Sequence, residues 1–296
     1  MSQQQDFLKI LIKSGIYWGH QRSRRNPKMS PYIWGHKNNV NLIDVSKTAR
    51  QLERAAQFLE QEASQGKVIL WVGTKKSAQA AINEAATRIN MPWVTHRWIG
   101  GTLSNFGQVK KSVTKLLHYE DILAKADRQH YTKKELNVLQ KTIERLRKNI
   151  GGIKNLTWPV GAIVIIDILK ENSALKEAAA MGIPVVALVD TNADPSLVDH
   201  VIPGNDDAPR AIKLVLDYLA DAVARGVVVA ESKPVNQKDE ASEAQAVDLS
   251  LIEATSEDDE ATNKRNAARA AGGAIKPKAP VRRRDDNRPR MRKPTT

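Results

Sequence analysis

The sequence predicts a doubly wound α/β domain built on a parallel β-sheet. Six short apolar runs alternate with longer segments of helical periodicity, and most of the runs end at Gly, Asp or His. Runs that are apolar on both faces indicate strands covered by helices on both sides, as in parallel sheets connected by right-handed crossovers. The runs are VNLID (40–44), VILWVG (68–73), WVTH (93–96), GAIVIID (161–167), PVVALVD (184–190) and VI (201–202).

The intervening segments predict helices with recognisable ends. Ser46 and Asp207 are predicted N-caps, because their side-chain oxygens can accept a hydrogen bond from the first helical turn. Gly66, Gly182 and Gly226 are predicted stops, since glycine readily adopts the left-handed conformation that ends a helix. The predicted helices span residues 46–64, 76–89, 171–181 and 207–225.

The long connection between His96 and Val160 predicts two further helices. Apolar residues recur at spacings of three and four in both, which indicates an antiparallel coiled-coil hairpin inserted at about residues 103–150, with its turn near 127–132. Two ordinary helices lying on the sheet are the alternative. The periodic residues are Val109, Val113, Leu116, Glu120 and Leu123, then Leu136, Leu139, Ile143, Leu146 and Ile150.

Charge divides the chain into a body, residues 1–230, and a tail, residues 231–296. The chain carries 46 Lys and Arg against 33 Asp and Glu, a net charge of +13, and most of the excess lies in the body. A basic body favours a polyanionic partner such as nucleic acid or an anionic membrane surface. The tail is acidic and then basic and lacks aromatic residues, so it is predicted to be disordered. It either docks on nucleic acid or is an inert solubilising extension.

Most classes of enzyme and membrane protein are disfavoured. The sequence lacks the GxxxxGK[ST], GxGxxG, GxSxG and HExxH motifs, and it has no cysteine for disulfides, thiolate metal sites or nucleophilic catalysis. No apolar run is long enough to span a membrane, and the N-terminus does not resemble a secretory signal, so we expect a soluble intracellular protein. A small-molecule-binding or nucleotide-dependent enzyme and a free RNA-binding regulator remain alternatives.

The segment GHQRSRRNPKM (19–29) is a candidate nucleic-acid-binding loop. Its four cations are Arg22, Arg24, Arg25 and Lys28, and Asn26-Pro27 interrupts any helix, so the cations should extend from a loop. Guanidinium groups bind phosphates through paired, charge-assisted hydrogen bonds. The flanking aromatic residues either stack on bases or anchor the loop. A solvated basic loop is the alternative.

Seven motifs in order resemble the S-two family of small-subunit ribosomal proteins, in its bacterial and organellar form. The resemblance covers roughly residues 5–228 and says nothing about the tail. The motifs are GHQ with RRNPKM (19–29), NLIDVSKT (41–48), VGTKK (72–76), HRWIGGTLSNF (96–106), ERLRKNIGGIKN (144–155), GIPVVALVDTNADP (182–195) and VIPGNDDAPRAI (201–212).

The resemblance implies a flavodoxin-like sheet carrying the coiled-coil hairpin and a non-enzymatic role in the small subunit of the bacterial, cytoplasmic ribosome. It implies binding to small-subunit rRNA, contact with neighbouring ribosomal proteins and help in bringing the S-one protein during translation. Neither a membrane nor a small-molecule substrate is expected. Recognition would follow RNA shape and phosphates. The implied phosphate contacts are Arg22, Arg24, Arg25, Lys28, Lys75, Lys76, Arg97, Lys110 and Lys111, with Asn105 adding an uncharged hydrogen bond.

The resemblance also raises a metal hypothesis, although no cofactor is expected to be required. Some members of the family hold zinc near the S-one contact, and the matching residues here are His20, Asp190 and Asp207. Nitrogen and oxygen ligands of this kind suit zinc. The alternative is that His20 bonds a strand-end aspartate and only holds the loop in place.

Overall fold

The computed structural model describes residues 2–125 and 132–232, which form an α/β fold of seven helices and eight strands. Short 3₁₀ turns occur at Arg22–Arg24, Pro27–Tyr32, Gly151–Ile153 and Pro195–Leu197. In chain order the elements are α1 (Ser2–Ser14), β1 (Trp18–Gln21), β2 (Ile33–Lys37), β3 (Val40–Ile43), α2 (Val45–Ser64), β4 (Val68–Val72), α3 (Lys76–Arg88), β5 (Trp93–Val94), α4 (Phe106–Lys125), α5 (Lys133–Ile150), β6 (Val160–Ile166), α6 (Asn172–Ala180), β7 (Val185–Val189), β8 (His200–Pro203) and α7 (Pro209–Ser232).

Five strands form one parallel sheet in the order β5-β4-β6-β7-β8. Counted along the chain, this is the 2-1-3-4-5 order of flavodoxin-like folds. The predicted parallel α/β sheet is therefore confirmed. In such sheets, ligands and partners usually bind where the carboxyl ends of the strands meet, so this edge is where functional side chains are expected.

The two faces of the sheet bury different sets of helices. Successive side chains of a strand point to opposite faces, so Ile69 and Trp71 pack with α2, α3 and α7, whereas Leu70 and Val72 pack with α4, α5 and α6. The central strand β6 is buried throughout its length. Apolar runs on both faces were the basis of the sequence prediction, and double coverage is the physical reason for them.

The run at residues 40–44 was predicted to join the parallel sheet, and this prediction is wrong. Residues 40–43 form β3, which pairs antiparallel with β1 and β2 in a separate three-stranded sheet. Asn38 and Asn39 both have positive φ, a conformation that asparagine tolerates in tight turns, and they reverse the chain between β2 and β3. This small sheet carries the basic loop.

Three of the predicted helix ends are corrected. Asp44, rather than Ser46, caps α2 through the Ser46 backbone N–H at 3.0 Å. Helix α7 begins at Pro209, so Asp207 precedes it. Gly226 lies inside α7, where an added Cβ would come 2.4 Å from the Glu60 carbonyl oxygen. That glycine therefore permits close packing of α7 on α2 and does not end the helix.

Helices α4 and α5 occupy the long connection, as predicted. Val109, Val113 and Leu116 of α4 are buried in one cluster with Ile143 and Ile150 of α5. The predicted turn between these helices lies largely outside the described residues. The coiled-coil geometry of the pair stays a prediction, as do the boundaries of the hairpin and the tail. Residues 233–296 are not described.

Trp71 is fully buried in the middle of the sheet. Its indole N–H has no hydrogen-bond partner among the described residues, although a buried indole usually finds one.

Within residues 2–125 and 132–232, no helix is both long and apolar enough to cross a membrane.

Candidate nucleic-acid interface

The GHQ segment ends β1 and lies on the turn that follows β7. The backbone N–H of His20 donates to Thr191 Oγ1 at 3.0 Å, and the side-chain amide of Asn41 donates to the His20 carbonyl at 3.0 Å. A Cβ at Gly19 would lie 2.6 Å from a Thr191 methyl group, so glycine permits this close approach. The N–H of Asn26 donates to the Thr191 carbonyl at 2.8 Å. The basic loop is therefore anchored at both ends to the carboxyl edge of the parallel sheet.

His20 lies between Asp190 and Asp207, the two aspartates predicted to share a metal with it. Its Nδ1 is 2.8 Å from Asp190 Oδ2, and its Nε2 is 3.5 Å from Asp207 Oδ2. The hydrogen bond with Asp190 raises the pKa of His20 above its ordinary value, although partial burial opposes this. The structure thus brings together the three residues predicted as metal ligands. It also contains the contact that the alternative required, a histidine bonded to a strand-end aspartate.

Lys75 extends into the same cluster. Its Nζ lies 2.7 Å from Asp206 Oδ1, 2.7 Å from Asp207 Oδ1 and 3.3 Å from Asp167 Oδ2. Burial would lower the pKa of Lys75, but its hydrogen bonds to Asp206 and Asp207 raise it above its ordinary value. Burial raises the pKa of Asp206 to about 6 even though Lys75 opposes the shift. The ammonium group is engaged by carboxylates, so a phosphate contact would require these ion pairs to break.

Four residues of this cluster can approach a single cation. His20, Asp190, Asp206 and Asp207 each offer one ligand atom, and these atoms lie within 4.8 Å of one another. One imidazole nitrogen and three carboxylate oxygens fit the ligand chemistry of zinc. The Lys75 ammonium already binds two of these carboxylates. Asp206 was missed from the sequence, although the adjacent aspartates of GNDD were the signal that could have identified it.

The turn that opens α3 holds an anion that the protein itself supplies. The Glu171 carboxylate, which is 2% exposed, accepts hydrogen bonds from the Thr74 backbone N–H at 2.7 Å and from the Thr74 hydroxyl at 2.5 Å. Lys170 Nζ donates to the Thr74 carbonyl at 3.0 Å. This part of the carboxyl edge is therefore filled by side chains of the turn that precedes α6. Glu171 could not be identified from the sequence, because a glutamate at a helix start is normally solvated.

The basic loop exposes its three arginines. Arg22, Arg24 and Arg25 are exposed, and none forms an ion pair with another described residue. Lys28 differs, because its Nζ lies 2.8 Å from Asp194 Oδ2 and 2.7 Å from Ser196 Oγ. That hydrogen bond lowers the pKa of Asp194 to about 2. Lys28 therefore fastens the loop to the segment after β7, whereas the arginines are free to meet a phosphate.

The segment between β5 and α4 forms a second basic surface. Arg97 and Asn105 are exposed, and Lys110 and Lys111 follow on the exposed side of α4. Trp98 is buried and braces the segment. Its indole and four other donors of the segment bond one carboxylate, that of Glu177 on α6, which the sequence did not identify. Lys76 is exposed at the start of α3.

The two basic segments are braced by one buried cluster on the α4–α5–α6 face of the sheet. Met29, at the end of the basic loop, shares this cluster with Trp98 and Val109. Several cations on the opposite face are instead paired within the protein, since Arg88 bonds Asp221, Lys213 bonds Glu84 and Arg225 bonds Glu60. The unpaired cations of the two basic segments therefore accompany the α4–α5–α6 face and the adjoining carboxyl edge.

Comparison with known proteins matches this architecture over most of the chain. The family model of ribosomal protein S2 matches residues 11–226. The small ribosomal subunit protein uS2 of Koribacter versatilis (strain Ellin345) is 42% identical over 245 residues, which cover 83% of this chain and 81% of that protein. The family is structural and non-enzymatic, so the enzyme alternative is excluded. The match includes both basic segments, the carboxylate cluster and the whole parallel sheet, and the chain therefore belongs to the ribosomal protein S2 family.

Proposed function

We propose that this chain is a structural constituent of the bacterial small ribosomal subunit, in the cytoplasm, and that it binds small-subunit rRNA through phosphate contacts. The observation that carries the proposal is a group of exposed cations in the basic loop, at the start of α3, and between β5 and the first turns of α4, which form no ion pair with another described residue. They are Arg22, Arg24, Arg25, Lys76, Arg97, Lys110 and Lys111. Cations that have no acid partner in the protein release counterions when they meet phosphates, which favours binding.

Lys28 and Lys75 make smaller contributions in this proposal. Both are held by carboxylates within the protein, Lys28 by Asp194 and Lys75 by the aspartate cluster. Their charges are already compensated, so they shape the interface and do not face the RNA. The Asn105 side chain is exposed and has no hydrogen-bond partner in the described part of the chain, and its amide suits a sugar or phosphate oxygen.

Recruitment of the S-one protein belongs to the same proposal and requires a surface for a protein partner. An apolar groove of about 350 Å³ lies between α1, the small sheet and the start of α2. Its wall includes Ile12, Tyr17 and Trp34, and Trp34 is 76% exposed. Exposed tryptophans beside grooves are typical anchors of protein interfaces. We expect small subunits carrying Trp34→Ser to retain less S-one protein than subunits carrying the wild-type chain.

Zinc is a secondary proposal. When bound, it would neutralise carboxylate charge at the end of the sheet, with His20, Asp190 and Asp207 as ligands and Asp206 beside them. A crystal soaked in zinc should then show anomalous density between these side chains. Its absence at millimolar zinc would favour the alternative, in which Lys75 and His20 balance the aspartates without a metal.

Sedimentation of cell extract tests the ribosomal role. The chain should migrate with the small subunit at about one copy per particle and should dissociate as the salt concentration rises. An enzyme or a free RNA-binding regulator would remain near the top of the gradient. Recovery of the chain there, with small subunits lacking it, would contradict the proposal.

A further inference from the structure

One carboxylate organises the whole segment between β5 and α4. Glu177 Oε2 accepts hydrogen bonds from the Trp98 indole at 3.0 Å and from the Gly101 N–H at 3.2 Å. Its Oε1 accepts from the Leu103 N–H at 2.8 Å, from the Ser104 N–H at 2.8 Å and from the Ser104 hydroxyl at 2.9 Å. A single side chain of α6 thus satisfies five donors of a loop that has no regular secondary structure.

The negative charge of Glu177 is balanced by donors rather than by a cation. No lysine or arginine in the described part of the chain forms an ion pair with it, and the five N–H and O–H groups take that role. Burial would raise the pKa of Glu177, but the hydrogen bonds from Ser104, Trp98 and Leu103 lower it below its ordinary value. The ionised form is therefore the one that holds the loop.

Five hydrogen bonds to this carboxylate restrain a loop that contains two adjacent glycines. Gly100 and Gly101 give the backbone wide conformational freedom, and Gly101 has φ of +91°. Glu177 and its five hydrogen bonds form a clamp, and the groups on either side of this clamp are predicted to contact RNA. Arg97 immediately precedes Trp98, and α4 begins two residues after Ser104 and carries Lys110 and Lys111 on its exposed side.

We propose that Glu177 is a positioning residue for rRNA binding. Its hydrogen bonds fix the direction of Arg97 relative to the first turns of α4, so that these cations meet phosphates together. Glu177 itself does not touch the RNA. This inference rests on the proposed function and adds to it the device that keeps the second basic surface in one arrangement.

The Glu177→Gln variant removes the charge while preserving the size of the side chain. Its amide nitrogen is a donor, so one side of the side chain would face N–H groups that it cannot accept from. Glu84→Gln is the matched control, because Glu84 is exposed on the opposite face and pairs with Lys213 on α7. The probe is full-length small-subunit rRNA, bound to each full chain over a range of salt concentrations.

We expect the plot of log K against log salt concentration to be shallower for Glu177→Gln by about one, which is the contribution of one phosphate contact. Glu84→Gln should match the wild type. Arg97→Gln should also lower the slope by about one in the wild-type background, but by much less in the Glu177→Gln background. If Glu177 only stabilised the fold, Glu177→Gln would lower the midpoint of unfolding. It would leave both the salt slope and the effect of Arg97→Gln unchanged.

Ser104→Ala provides the same comparison if Glu177→Gln does not fold. It removes one exposed donor to the clamp and leaves the carboxylate in place, so it should weaken the Arg97 effect by a smaller amount. Full additivity of Arg97→Gln with both clamp variants would overturn the inference while leaving the proposed function intact. Absence of salt-dependent rRNA binding by the wild type would overturn both.

Discussion

Replacing Arg22, Arg24 and Arg25 together with glutamine should weaken rRNA binding and make it less dependent on salt concentration. These arginines are exposed and unpaired in the described structure, and the loop that carries them is anchored away from their side chains, by Asn26 and Lys28. The substitutions therefore remove phosphate contacts without breaking interactions within the protein. Shape complementarity and the second basic surface remain.

The expected size of the effect follows from the number of unpaired cations proposed to contact the RNA. Each phosphate contact contributes roughly 0.7–0.9 to the slope of log K against log salt concentration, so seven cations predict a slope of about 5–6. Affinity should then fall about 10³- to 10⁴-fold between 50 and 200 mM salt. With three contacts removed, the slope should be about 3–4 and the loss about 10²-fold over the same range.

Filter binding or fluorescence anisotropy with small-subunit rRNA measures both quantities. The matched control replaces Arg88, Lys213 and Arg225 with glutamine. It also removes three positive charges, but these side chains lie on the opposite face and are paired within the protein. That control should keep the wild-type slope. Equal slopes for the two triple variants would refute the reasoning, because net charge rather than position would then determine binding.

Three other predictions concern stability and metal binding. Gly226→Ala should lower the free energy of unfolding, measured by urea denaturation, by about 1–3 kcal/mol, because its Cβ would press on the Glu60 carbonyl. Gly107→Ala, on the open surface of α4, should leave this free energy unchanged or raise it by up to about 1 kcal/mol. The pKa of Glu177 is lowered on folding, so its stabilising effect is present above the unfolded pKa and is lost as pH falls through the folded pKa. The free energy of unfolding of Glu177→Gln should therefore fall less steeply than that of the wild type as the pH is lowered. The same pH dependence in both proteins would contradict this. Lys75→Met should cost about 3 kcal/mol by leaving buried Asp206 without its cation, and added zinc should raise the melting temperature of this variant more than that of the wild type. An equal response to zinc would argue against a metal at this site.

Periodicity predicted the parallel sheet because the sheet is covered on both faces. A strand with helices above and below must be apolar throughout, and Val160–Ile166 is such a run. The same reasoning failed at Val40–Ile43, whose alternating burial belongs to an antiparallel strand. Its short apolar run resembled a buried strand, and the decisive signal was the Asn38-Asn39 turn before it.

The site was predictable where it consists of motifs and unpredictable where it depends on contacts between distant residues. His20, Asp190 and Asp207 were grouped by family resemblance, and the structure brings them together. Sequence does not show whether a lysine is paired, so Lys75 could not be distinguished from Lys76. Glu177 was missed for a related reason, because a glutamate on an amphipathic helix is normally solvated.

The contact between Glu171 and Thr74 limits what can bind at the carboxyl edge of the sheet. In enzymes with parallel sheets, the crevice at the carboxyl edge commonly takes up a metabolite or nucleotide. Here a carboxylate that is covalently part of the chain occupies the turn that opens α3. The turn is therefore held by hydrogen bonds within the chain itself. An anionic metabolite would have to displace Glu171 before it could bind there.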